Sequence, residues 1–181
     1  RIFTSTVISG TISIMEKTMT PAGGPGPRRP YWNETVVETG IGTEGFAVSP
    51  DGKELWAAAA QGGRVSIIDV ATKKVVQTLQ ANVQGANRVK FTPDGKYVFI
   101  SRLFSGGGDL VVFDARSRRE IKRMSLGHGA AGMLMQPGGS RAYVACSPDN
   151  YVAVIDLRRL EVIGRIDPGR GPDGLAWAVR Q

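Results

Sequence analysis

The chain has 181 residues, 41% of them hydrophobic, with 24 glycines and a formal charge of +7. This suits one globular domain with a real core and excludes a disordered chain. No apolar run approaches the ~20 residues that cross a bilayer, and the lone Cys146 excludes an intrachain disulfide. The basic balance suits acidic partners or surfaces rather than nucleic acid.

The chain starts at Arg1, already inside an apolar run, Ile2-Phe3. A third-strand-like run follows, Thr11-Ile12-Ser13-Ile14-Met15-Glu16. Residues 18–31 are rich in proline and glycine, and the stretch Pro21 to Pro30 is expected to be a loop insertion rather than a strand. Tyr31, Trp32, Arg28 and Arg29 could form a contact patch there, and Thr35–Val37 reads as an outer strand.

From Gly42 to Ala81 the pattern is complete. Four apolar runs, Phe46–Val48, Leu55–Ala60, Val65–Val70 and Val75–Leu79, are separated by Pro50-Asp51-Gly52, Gln61-Gly62-Gly63 and Asp69-Val70-Ala71-Thr72. Short β-rich runs between such turns make a four-stranded antiparallel meander. The unit then recurs. Pro50, Pro93 and Pro137 head equivalent turns 43 and 44 residues apart, a period that indicates propeller blades. An aromatic recurs at one second-strand register, as Phe3, Trp56, Phe99 and Tyr143. Burial between blades explains it. An acid ends each third strand, as Glu16, Asp69, Asp114 and Asp156. Capping of the following turn explains these better than catalysis does.

After Gly171 only a first strand remains, Gly174–Val179, whereas residues 1–41 hold second, third and fourth strands. The expected fold is therefore all-β, a β-propeller of four-stranded antiparallel blades in a single domain. Blades 42–82, 85–127 and 129–169 are complete, and a fourth is split between residues 1–41 and 171–181, the latter pairing with Ile2–Ser5. A ring with further blades before Arg1 is the other geometry. The start at Arg1, where a second strand should follow a Pro-Asp-Gly-Lys turn, favours it.

These motifs resemble the YVTN β-propeller repeat family of YncE-like proteins. Tyr143-Val144-Ala145-Cys146 stands at the signature tetrapeptide, Phe3-Thr4-Ser5-Thr6, Trp56-Ala57-Ala58-Ala59 and Phe99-Ile100-Ser101-Arg102 are looser copies, and Ser49–Lys53 and Val65–Asp69 match the flanking consensus. The resemblance implies a bacterial or archaeal protein, exported to the periplasm or outside the cell, in a family of binding and scaffolding proteins.

The loops from fourth to first strands share one face with those from second to third. Glu44, Asn87, Arg88, Arg102, His128, Asp149, Arg170 and Asp173 are expected to converge there as a binding mouth. The opposite face carries Lys53, Lys73, Lys74, Lys96, Arg116, Arg118, Arg119, Arg141, Arg158 and Arg159, suited to acidic envelope polymers. The expected role is non-enzymatic: contact with a protein or small-molecule partner through a propeller face, with no catalytic residue, metal ligand or cofactor. The alternatives are a lactonase-like hydrolase, or a quinoprotein or haem-type oxidoreductase subunit, with the site at the channel mouth. His128 is the sole histidine, which argues against a clustered ligand set.

Overall fold

The computed structural model of the chain describes residues 1–20, 22, 26–103 and 107–178. Pro21 and Pro25 of the insertion, Gly106 and the end of the closing segment from Val179 therefore lie outside the described residues. The strands are β1 (Ile2–Thr6), β2 (Thr11–Met19), β3 (Pro30–Glu38), β4 (Thr43–Val48), β5 (Glu54–Ala59), β6 (Arg64–Asp69), β7 (Lys74–Gln80), β8 (Ala86–Phe91), β9 (Tyr97–Arg102), β10 (Asp109–Asp114), β11 (Arg119–Ser125), β12 (Met133–Met135), β13 (Arg141–Cys146), β14 (Tyr151–Asp156) and β15 (Glu161–Ile166). They form four antiparallel meanders: β1–β3 with three strands, then β4–β7, β8–β11 and β12–β15 with four each.

The core lies between sheets. Because side chains alternate along a strand, Leu55 and Ala57 of β5 turn to Ile12, Ile14 and Val37 of the first sheet. Their neighbours Trp56 and Ala58 turn to Val89, Phe91, Val98 and Ile100 of the third. Phe99 repeats the arrangement against Ala142, Val144, Cys146, Ala153 and Ile155 of the fourth. This two-sided burial is why the third strands are near-continuous apolar runs. Trp56 makes edge contacts with Phe91 and Phe113, with ring centroids 6.0 and 6.2 Å apart. Its indole N–H donates to Glu54 at 2.9 Å.

The turns follow their sequence chemistry. Asp51 Oδ1 accepts from Ser49 Oγ at 2.6 Å and Lys53 N at 3.1 Å. Asp94 does the same for Thr92 Oγ1 and Lys96 N. Asp69 caps Thr72 N at 2.6 Å, Asp114 caps Ser117 N at 2.7 Å, and Asp156 caps Arg158 N and Arg159 N. Donation from the backbone N–H of Thr72 and of Ser117, and then from their hydroxyls, holds the Asp69 and Asp114 carboxyls below their ordinary range. In the leading sheet Glu16 instead pairs with Arg1 and Lys73.

Three expectations are corrected. The segment 18–31 is not all loop: β2 and β3 run on as a ribbon, with Lys17 opposite Trp32, Thr18 opposite Tyr31 and Met19 opposite Pro30. Pro30 is tolerated because it ends an outer strand, where no ladder N–H is needed. Second, the expected pairing of Gly174–Val179 with Ile2–Ser5 is not seen among the described residues: β1 pairs there with β2 alone, and residues 172–178 form no strand. They lie instead against the fourth sheet, with Trp177 over Tyr143 at a centroid distance of 6.3 Å. Four sheets stacked in sequence leave the first and last at opposite ends of the array. Third, Tyr143 is half-buried where Trp56 and Phe99 are sealed: among the described residues it is the segment with Trp177, not a sheet, that lies over its ring.

Candidate functional site

The mouth is built on a repeated backbone lock. In the first sheet the Gly10 carbonyl, in the β1–β2 turn, accepts from Thr39 N at 2.8 Å, Gly40 N at 2.9 Å and Thr39 Oγ1 at 3.0 Å. Thr39 and Gly40 belong to the segment that carries the chain to β4. In the next sheets the Gly63 carbonyl accepts from Val83 N at 3.1 Å, and the Gly108 carbonyl from Leu126 N at 2.6 Å. In the fourth, Asn150 takes the left-handed position (φ 58°) and its side-chain oxygen accepts from Gly171 N at 2.9 Å. Each second-to-third turn thus fixes the linker that enters the following inner strand.

On that scaffold six of the eight expected residues fall into three side-chain groups, and Arg170 and Asp173 belong to none of them. Glu44 and Asn87 sit where β4 and β8 bulge, at the register shifts Thr43/Phe46 and Ala86/Arg88. Bulges re-aim side chains, and here they bring Asn87 Nδ2 to Glu44 Oε2 at 3.1 Å and Arg88 onto the other oxygen of Glu44. Asn87 is 7% exposed, and its Oδ1 is buried with no hydrogen-bond partner. Arg102 bridges Asp109 at 2.7 Å and the Gln84 carbonyl at 2.8 Å, with Arg123 3.6 Å from the same carboxylate. The third group is His128 and Asp149. Asp149 Oδ2 accepts from His128 N at 2.7 Å and Oδ1 faces Nδ1 at 2.5 Å. Arg170 and Asp173 are exposed, and Asp173 contributes its carbonyl, which lies against Gly132.

Hydrogen bonding from Asp149, then its charge, raises the His128 pKa, and His128 in turn lowers that of Asp149. The charged pair is complete below the ordinary histidine value near 6.5. It is lost as pH rises through the raised value, and at the acid end as pH falls through the lowered carboxylate value. Because His128 is the single histidine, its ring proton can be followed without assignment. In Asp149→Asn its NMR titration should move down toward 6.5. An unchanged midpoint would show that the contact does not form in solution. Near this pair, burial pushes the Cys146 thiol up, which makes it a poor nucleophile. Burial also pushes Tyr151 up to about 12, and Tyr151 donates to the Leu126 carbonyl at 2.7 Å.

Sequence reasoning missed two features. One is the lock, legible only as Gly10, Gly63, Gly108 and Asn150 just before successive third strands. The other is on the opposite face, where the left-handed residue of each third-to-fourth turn reaches back to the preceding sheet. Lys73 pairs with Glu16, Arg118 with Glu54 at 2.6 Å, and Leu160 joins the apolar core. Two of that face's cations are therefore ties between sheets.

The Cytochrome D1 heme domain family matches residues 32–140. The chain belongs to that family. A hydrazine synthase structure from Kuenenia stuttgartiensis is 32% identical, with a TM-score of 0.67 over 74% of this chain and 38% of that one. A Bacteroides fragilis structure described as a candidate 6-phosphogluconolactonase is 21% identical, with a TM-score of 0.68 over 78% of this chain and 43% of that one, a likeness of fold. The groucho protein of Drosophila melanogaster is 29% identical over 119 residues, 59% of this chain and 16% of that protein. The chain thus spans about two fifths of the length of the two solved relatives.

Family membership raises the question of haem. His128 has the chemistry of an axial ligand, since Asp149 holds Nδ1 and leaves Nε2 outward. Its side chain is 85% exposed, however, so no protein wall stands beside it to cover a macrocycle. The clefts formed by Pro50, Phe91 and Arg116 (about 360 Å³) and by Tyr97, Leu157 and Arg158 (about 380 Å³) lie on the opposite face. Among the described residues no group of three or more His, Cys, Asp or Glu could hold a metal. The described residues do not by themselves fit a haem.

Proposed function

We infer that the chain is a non-enzymatic binding and scaffolding propeller domain of the YVTN-repeat type. It is exported to the periplasm or the cell exterior, and it engages a protein or small-molecule partner through the mouth face. The observation that carries this reading is Asn87. A buried carbonyl oxygen without a donor costs about 1–3 kcal/mol, and orphaned groups of this kind call for an explanation. Here the orphan sits beside the carboxylate of Glu44 and the guanidinium of Arg88. Oδ1 itself is closed to solvent, so a partner's polar group would meet the exposed carboxylate of Glu44 and guanidinium of Arg88, the former held by the Asn87 amide N–H. Ties between neighbouring sheets keep the three groups rigid, so little ordering entropy opposes binding.

The test compares the wild-type chain with Asn87→Leu and Glu44→Ala as baits in a cell-envelope extract. A partner retained by the wild type and lost with either variant, at unchanged thermal stability, supports the reading. The hydrolase alternative is decided separately. Lactone hydrolysis by the purified chain that His128→Ala abolishes would replace the binding role with an enzymatic one.

A further inference from the structure

The β2–β3 ribbon runs past the level at which the other three sheets end. Their third-to-fourth ladders close at Asp69–Lys74, Asp114–Arg119 and Asp156–Glu161. Glu16 and Asn33 hold that level in the first sheet, since Ile14 faces Phe3 as Ile67 faces Trp56. The ladder nevertheless continues through Lys17–Trp32, Thr18–Tyr31 and Met19–Pro30, and Thr20 N then donates to the Arg29 carbonyl at 3.0 Å. Arg29 N donates to Thr20 Oγ1 at 3.1 Å and Arg28 Nε to the Thr20 carbonyl at 3.2 Å, which hold the two strands together there. Four added rungs at about 3.4 Å each raise a prong of about 13 Å above the face of the Pro-Asp-Gly turns. Because these rungs lie beyond the sheets, packing of sheet on sheet does not cover them.

Opposed residues share a face of a ribbon, and successive rungs alternate. Trp32 and Met19 therefore lie on one face and Tyr31 on the other, and they are 52%, 42% and 43% exposed. A prong that docks on one flat protein surface needs a single apolar face. Here both faces are apolar, so the medium that accepts the prong has to surround it. Cations accompany the apolar side chains. Lys17, Arg28 and Arg29 are exposed, and among the described residues none is paired with an acid. At the base of the prong the face adds Lys74, Arg116, Arg119, Arg141, Arg158 and Arg159, exposed and likewise unpaired among the described residues. Its capping aspartates are instead folded back onto turn N–H groups.

We propose that the β2–β3 ribbon inserts into the headgroup layer of an anionic lipid bilayer, with Met19, Tyr31 and Trp32 among the upper acyl chains and the cationic face against the lipid phosphates. Tryptophan and tyrosine settle at headgroup depth, where the ring is dry and the polar tip wet. Lysine and arginine lay their stems in the same zone and put their charges on the anionic surface. Interfacial elements reach about 5–10 Å into that layer, within the height of the prong. The proposal is independent of the mouth, which lies on the opposite face.

The test uses the full chain and vesicles of phosphatidylcholine with or without phosphatidylglycerol. The chain should sediment with the anionic vesicles, and less so as salt rises. Tyr31→Ser/Trp32→Ser should lower the partition coefficient about tenfold, and Lys17→Gln/Arg28→Gln/Arg29→Gln about a hundredfold. All five residues are exposed, so the melting temperature should not move. In case a variant unfolds, Trp177→Phe provides a second readout. Of the two tryptophans it leaves, Trp56 is sealed in the core, so quenching by phospholipids brominated on the acyl chain reports Trp32. Its emission should be quenched and shifted to the blue. Wild-type chain that stays in the supernatant, Trp32 emission that bromine leaves unchanged, or binding indifferent to Tyr31→Ser/Trp32→Ser would overturn the proposal. Retention on immobilised polyglutamate without affinity for vesicles would also overturn it and assign the prong to an acidic polymer.

Discussion

Phe99→Ala is expected to cost about 3–5 kcal/mol of stability. The ring is fully buried, between Leu110, Val112 and Met124 of its own sheet and Val144, Cys146 and Ile155 of the next. It has no polar atom, so the whole cost is lost transfer energy plus the cavity left behind. Both walls of that cavity are hydrogen-bonded sheets, which cannot collapse inward as a loop could. For a chain of this size the melting temperature should fall by roughly 6–20 °C, a large share of the ~5–15 kcal/mol typical of a folded domain. Tyr143→Ala at the same register provides the control. Its ring is half-buried, with Trp177 on its outer side, so it should cost clearly less. Equal losses in a urea titration would show that the fourth sheet is covered in solution as fully as the third.

That comparison also marks how far the fold is legible from residues alone. Trp56 and Phe99 could be placed because strand alternation and a 43-residue period are local properties, repeated often enough to check one another. The capping aspartates were legible for the same reason, since an Asx turn involves only the next three residues. Pairing between distant segments was not legible. Leu175 and Trp177 are apolar enough to demand an inner position, but whether β1 of the same chain can reach them depends on the angle between successive sheets, which no residue encodes. The ribbon through Met19 and Pro30 was missed because proline lowers strand propensity without forbidding an outer strand. At the mouth, spacing assigned eight residues to one face but could not show that Glu44 pairs with Asn87 and Arg88 and that Arg102 pairs with Asp109. The orphaned oxygen of Asn87 depends on a bulge, and a one-residue register shift leaves no mark in composition.

Gly10→Ala is expected to cost about 2–5 kcal/mol, whereas Gly52→Ala should cost only about 1–2 kcal/mol. Both residues have positive φ, 67° and 73°, so both pay the left-handed penalty that a Cβ imposes. Their surroundings differ. Around Gly52 nothing lies within 4 Å of a built Cβ, whereas at Gly10 that atom would collide with the backbone of Gly40 and Ile41. Those atoms cannot step aside cheaply, because the Gly10 carbonyl is bonded to Thr39 N, Gly40 N and Thr39 Oγ1. Thr39 Oγ1 also lies 3.0 Å from Thr43 Oγ1, and Ser66 Oγ donates to the Thr39 carbonyl at 3.2 Å. Displacing Gly40 therefore strains the entry to β4 and the seam between the first two sheets. Chemical denaturation of the two variants side by side separates the conformational penalty, common to both, from the steric one. If the two losses match, the turn-to-linker lock contributes nothing beyond backbone preference; a larger loss at Gly10, with faster amide exchange at Thr39 and Gly40, would establish it as the joint that sets one blade on the next.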